Sequence, residues 1–204
     1  MNSSLQSRLA ILGTLSDLHD RPIAYDLACL RKVVADLAPD LLCAEIAMED
    51  WEREDISHAA SEVREALAPV VASTDIVLIP VAPSTERYSD FAPRSGWRHG
   101  LVHAFNKFLR WGQIRADSVQ SVNGPLFGAF CHTVCWLTEI FWDTEDRITW
   151  ERQNQELVEN IVRAVKRDSG QRVLVAVQCQ RLHRLIALLH AHEDLLTMVS
   201  YQNL

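Results

Sequence analysis

The segment Arg172-Val-Leu-Val-Ala-Val177 constrains the fold of this 204-residue chain more than any other. It is a short, largely β-branched apolar run, opened by Ser169-Gly170 and closed by the polar string Gln178-Cys-Gln-Arg181. A strand without apolar/polar alternation has to be covered on both faces, which is the habit of a parallel sheet held between helical layers. Its flanks agree. Between Ile148 and Val165, Trp150, Leu157, Ile161 and Val165 recur at helical spacing, and Leu182 to His190 reads as a second helix. Helix, buried strand and helix in succession define an α/β unit.

The chain before this unit repeats the alternation. Arg8 to Thr14 reads as a first strand, Pro22 as the opening residue of a helix over Ile23 to Leu37, and Leu41 to Ile46 as a second strand after the break at Pro39-Asp40. Met48 to Asp55 carries five acids around Trp51 and reads as a solvated helix start. A helix over Ser57 to Val71 leads to a third strand, Asp75 to Val81. Residues 95–143 depart from the pattern and form an inserted helical pair, Gly96 to Trp111 and Leu126 to Trp142. The expectation is one α/β domain over 1–204, with a largely parallel central sheet of about five strands flanked by helices and the helical insertion over about 95–143.

On the first inserted helix Trp97, Leu101, Phe105 and Phe108 share one face, and His99, His103, Asn106 and Arg110 share the other. The apolar face needs cover, so the pair is expected to close over the sheet edge like a lid. On the second helix Gly128, His132, Cys135, Glu139 and Asp143 fall within about 80° of one another, a polar stripe that meets either water or a cavity. His99 and His103 have chelating i,i+4 spacing without the glutamate of a His-Glu-x-x-His site, and His132 with Cys135 supplies only two ligands; neither makes a metal centre.

Charge narrows the function classes. Twenty basic and 27 acidic side chains give a net charge of -7 without a basic block, which argues against a nucleic-acid groove or an anionic membrane surface. A small-molecule substrate is the expected partner, and self-association into a homodimer is left open. Five cysteines, several inside apolar runs, read as reduced thiols of a cytoplasmic protein. The apolar run Leu9 to Leu15 is too short for a span and is followed at once by Asp17. No Gly-rich loop follows a strand, which removes dinucleotide and P-loop readings, and Ser16 lacks a Gly-x-Ser-x-Gly setting.

Ligands of open α/β sheets bind beyond the carboxyl ends of the strands. That edge collects His19 after the first strand, Glu45 at the end of the second, Arg87 after the third, and Gln180, Arg181 and His183 after Val177. Asn154 lies on the apolar stripe of its helix, where a buried amide needs a partner, and Arg152 points away from that stripe. In such a pocket a histidine or Glu45 would act as general base, and an arginine would hold a carboxylate or a developing oxyanion.

The string Ile11-Leu-Gly-Thr14, then Pro39-Asp-Leu-Leu-Cys-Ala-Glu45, then Glu151-Arg-Gln-Asn154 before Arg172 to Val177, resembles the TraB/Tiki/ChaN-like superfamily, which includes erythromycin-esterase-like proteins. Members carry a Gly-Thr-x-His turn after strand one, a glutamate after strand two, an arginine in the helix before the last site strand, and a Gly-x-x-His turn after it. Glu45 and Arg152 match, while Ser16 and Arg181 stand at the two histidine positions. The resemblance implies a divalent-metal hydrolase site that has lost both imidazoles here. No cofactor is therefore expected, unless His19 and His183 swing back to restore a divalent metal. The expected function is a small-molecule hydrolase or acid-base enzyme, acting on an ester, lactone or similar substrate. His19, Glu45 and His183 would be catalytic, with Ser16, Arg87, Arg152, Asn154, Gln180, Arg181, His132 and Glu139 contacting substrate. The alternative is a non-catalytic member of the fold that binds a ligand or partner. An enzyme should show Glu45 and a histidine perturbed together in one cleft; a binding protein should not.

Overall fold

A computed structural model of the chain describes residues 6–83, 88–93 and 96–204. Five strands, β1 (Ser7–Thr14), β2 (Leu41–Ala47), β3 (Val77–Ala82), β4 (Arg172–Gln178) and β5 (Leu196–Met198), form one all-parallel sheet in the order β3-β2-β4-β1-β5. The most apolar strand, β4, lies at the centre, with Leu9 of β1 and Leu41 of β2 both in register with Val173. Its composition requires that place, because Val173, Val175 and Val177 are buried on one side of the pleat and Leu174 and Ala176 on the other. Pro80, which has no N–H to donate, sits in the edge strand β3, where a sheet tolerates it.

Two apolar layers sandwich the sheet. On one face α1 (Leu27–Leu37) contributes Leu30 and Val34, and a π-helical turn, Val63–Leu67, runs into α3 (Ala68–Ala72), so that Val63 and Leu67 pack with Leu12, Leu42 and Leu78. Pro69 accounts for the wide turn: it cannot donate to the carbonyl of Glu65, which instead accepts from Arg31 Nε at 2.6 Å. On the other face α7 (Thr144–Arg167) and α8 (Leu182–Leu189) pack Leu157, Ile161 and Leu185 against Leu9, Ile11 and Val175. The chain thus leaves β1 towards α1 on one face and leaves the adjacent β4 towards α8 on the other. That divergence of neighbouring strands opens a crevice at the carboxyl edge.

The inserted segment forms α4 (Gly96–Arg115), a short α5 (Val119–Val122) and α6 (Pro125–Ile140). It packs on the α1 side, and the face that α4 turns inward carries Val102, Leu109 and Gln113. The aromatic face expected to be covered is largely in solvent: Trp97 and Phe108 are exposed, and Phe105 alone of that group leans on the core. Close approach of α4 to α6 decides this, because the Phe130 ring fills the space beside Gly112, where any Cβ would lie 2.4 Å from it.

Other boundaries also shift. The first helix begins at Leu27 and not near Pro22, because Asp26 caps it by accepting from the Cys29 amide at 2.8 Å, and Ser16–Asp20 forms a 3₁₀ helix before it. The acidic segment starts as a short exposed helix, α2 (Met48–Glu52). No helix among the described residues is long and apolar enough to cross a membrane. All five cysteines are free thiols.

Candidate functional site at the carboxyl edge of the sheet

A cleft of about 320 Å³ lies at the crevice between β1 and β4. Its floor is Leu15, Ser16, Asp17 and Leu18 from the turn after β1 and Gln178 and Gln180 from the turn after β4. Its roof is α4, which contributes His103, Asn106, Lys107, Arg110 and Gln113. The roof is cationic, and the floor offers amides and a hydroxyl. Asp17 is the one carboxylate among the described lining residues, and its Oδ1 already accepts from the Ser61 amide at 3.3 Å. Ser16 enters the cleft with φ of 53°, a left-handed conformation uncommon for serine. Asn123, just before α6, fixes the adjacent strand end by accepting from Gly13 N at 2.6 Å and donating to Gly13 O at 3.3 Å.

His19 does not face this cleft. It is buried, and the Leu15 amide donates to its Nε2 at 2.9 Å, so Nδ1 carries the proton and donates to Tyr25 O at 2.6 Å. Both ring nitrogens are occupied by backbone. Glu62, from the helical turn before Val63, sits 3.3 Å from His19 Nε2 and accepts from Thr14 Oγ1 and the Ser16 amide, each at 2.8 Å. The pair braces the β1 turn from below and holds Ser16 in its strained conformation.

Glu45 ends in a second buried cluster. Its Oε1 lies 2.6 Å from Arg181 Nε, and its Oε2 accepts from the Gln178 amide. Arg181 also donates to Asn154 Oδ1 at 2.9 Å and Gln153 Oε1 at 3.3 Å, and its guanidinium stacks over Trp150 at 3.9 Å. Burial pushes the Glu45 carboxyl above its ordinary range, against the opposing pull of Arg181 and the Gln178 amide. Burial likewise lowers Arg181, against the support of Glu45. Asn154 therefore finds its partner in the core.

His183 and the polar stripe of α6 form a third group. His183 Nε2 donates to Gly128 O at 2.6 Å and its ring lies 4.8 Å from that of His132, while Glu139 is paired with Arg184. The stripe meets α8 and not a cavity. Desolvation, then the neighbouring His183 and Arg184, lower the His132 pKa, and burial raises that of Glu139 despite Arg184. Arg152 points to solvent and lies 3.9 Å from Glu156, away from all three groups. Arg87 lies outside the described residues.

Of the residues expected at one pocket, the structure places Ser16 and Gln180 in the cleft and distributes His19, Glu45 with Asn154 and Arg181, and His183 with His132 among separate clusters. Glu62, Lys107 and Gln113 were not foreseen. The donor set does not fit the divalent metal implied by the resemblance. Both Glu45 oxygens are engaged, the Arg181 guanidinium stands against them, and no three His, Cys, Asp or Glu side chains among the described residues converge as ligands. Comparison of the chain with models of known protein families, with curated proteins and with solved structures returned no match.

Proposed function

We propose that the protein binds a small polar molecule bearing a carboxylate or phosphate in the cleft between the β1 and β4 turns and α4, without turning it over. The carrying observation is the lining itself. Lys107 and Arg110 face a hydrogen-bonding floor at the point where neighbouring strands diverge, and the volume suits a small metabolite. Neither His19 nor His183 has a ring nitrogen turned to the cleft, and Glu45 and His132, whose acidities are perturbed, lie in different clusters. The imidazole that does line the cleft is His103 of the roof, so the acid-base residues singled out in the sequence are dispersed, and that distribution supports binding over acid-base chemistry by them.

Thermal unfolding against a panel of small carboxylates and phosphate monoesters tests the reading. A true ligand at roughly a hundredfold excess over its Kd should raise Tm by about 5 °C or more. Arg110→Ala and Lys107→Ala should each reduce that shift. A panel without a stabilising member, or a shift indifferent to both substitutions, would sink the proposal.

A second reading, hydrolysis of an ester or lactone in the same cleft, draws on the left-handed Ser16, because strain of this kind gathers at functional sites. A place in the TraB/Tiki/ChaN-like superfamily belongs with it. It draws support from the meeting of Glu45 with Arg181, the residue at the second histidine position, as though a fixed guanidinium had taken over a cation's place. Chromogenic esters assayed with wild type and Ser16→Ala separate the two readings: turnover lost in the variant favours hydrolysis, and no turnover in either favours binding alone.

A further inference from the structure

We infer that the outer face of α4 and α6 is the seat of an isologous dimer, with a second copy of this chain as its occupant. The inference goes beyond the cleft, which lies on the opposite side of α4. Trp97, Phe108 and Trp111 of α4 are 71%, 49% and 50% exposed, and Leu126 and Trp136 of α6 are 88% and 56% exposed. Together with Ile140 these side chains present on the order of 800 Å² of apolar surface, more than a monomer's largest patch usually holds and about what each partner contributes to a stable interface.

The face also has relief. A hollow of about 360 Å³ between Phe105 and Phe108 of α4 and Ala129, Phe130 and Leu137 of α6 lies on the same surface as the projecting Leu126. A surface holding both a knob and a hollow can meet itself across a two-fold axis, each Leu126 entering the partner's seam. An apolar area of this size matches what a second copy buries, and the face carries little charge to oppose it: Glu139, the one charged side chain of α6, is buried against Arg184, and the Arg115 guanidinium sits over the Trp111 ring at 4.5 Å. Two such faces can meet without opposing like charges.

Sedimentation equilibrium of the full chain over a concentration series tests this. The expected result is a species of twice the chain mass. Leu126→Glu and Trp136→Glu should each weaken it roughly thirtyfold or more, while Trp51→Glu, on a different surface, leaves it unchanged. Should a glutamate variant lose helical circular dichroism, quenching of wild-type tryptophan fluorescence by acrylamide decides, and it should fall as dimer forms. A monomer at every concentration, or a dimer and quenching indifferent to these changes, overturns the inference. A monomer that co-sediments with phosphatidylcholine vesicles assigns the face to a membrane and overturns it equally.

Discussion

Strands β2 and β4 are bracketed by two ion pairs of similar chemistry in different surroundings. At the amino edge Asp40, one residue before β2, meets Arg172 at the start of β4, with side chains 40% and 39% exposed. At the carboxyl edge Glu45 meets Arg181, with side chains 9% and 3% exposed. The first pair is screened by water and ties the β4 backbone to the loop before β2. The second is desolvated, and its charges are tolerable because each is met by further groups: the Gln178 amide for Glu45, and Asn154, Gln153 and the Trp150 ring for Arg181, whose Nε lies 2.6 Å from Glu45 Oε1 without a well-aligned hydrogen bond. Burial raises the stakes of an ion pair more than its net worth.

The sharpest way to break this contrast is to remove Arg181. Arg181→Met should destabilise the protein by about 3–5 kcal/mol at neutral pH, because Glu45 is left buried with one amide donor. The part of the deficit owed to Glu45 should be absent below the ordinary carboxylate range, where Glu45 is protonated in both states, and should grow as pH rises towards its raised folded value, while the part owed to the lost Asn154, Gln153 and Trp150 contacts stays constant. Urea titrations across pH measure both points. Glu45→Leu added to Arg181→Met should restore much of the loss, since an apolar pair often matches a buried ionic one. A double variant no more stable than the single would place the cost in the orphaned Asn154 and Gln153.

A smaller effect is expected at Glu62, a buried carboxylate without an arginine. Glu62→Gln gives up charge-assisted bonds from Thr14 and Ser16 and should cost about 1–2 kcal/mol, a fall in Tm of roughly 2–8 °C. Because it also frees the Ser16 turn, ligand-induced stabilisation should weaken more than the fold does. Equal loss of both would show that Ser16 does not depend on Glu62 for its conformation.

The sheet was legible because its signal is local. The apolar run of β4, Pro39-Asp40 before β2 and the polar strings after β1 and β4 each declare themselves within a few residues; the carboxyl-edge rule then pointed to Gln180, and the family resemblance to Ser16. β5, three residues long, carries no such signal, and only its pairing with β1 reveals it. The histidines misled for a physical reason: sequence places a ring at a turn without saying which way it faces, and in both turns backbone groups captured it. The direction of α4 failed similarly. Its aromatic stripe is periodic, yet the aliphatic Val102 and Leu109 were buried, which turned His103, Asn106 and Arg110 over the cleft. Glu62 alone left a usable trace, an acid four residues before Ala66 and eight before Val70 on a buried stripe.

The smallest effect belongs to the exposed pair, and it sharpens the comparison most cleanly because nothing else at that edge changes. The Arg172 amide donates to Asp40 Oδ2 at 2.7 Å and the Arg172 guanidinium lies 3.3 Å from Oδ1; the amide foremost, with the guanidinium's help, holds the Asp40 carboxyl below its ordinary value. A depressed folded pKa stabilises the native state above the ordinary carboxylate range and loses that contribution as pH falls through the depressed value. Asp40→Asn should therefore cost under about 1 kcal/mol at neutral pH, discounted for solvent, and less in high salt. The difference from wild type should close at acid pH, once the pH has fallen through the depressed Asp40 value. Its pH dependence runs opposite in cause to that of Arg181→Met, since ionisation here is favoured by folding and there opposed by it. Urea midpoints at both pH values provide the measurement. A loss as large as that at Arg181 would mean that solvent exposure is not what separates the two pairs.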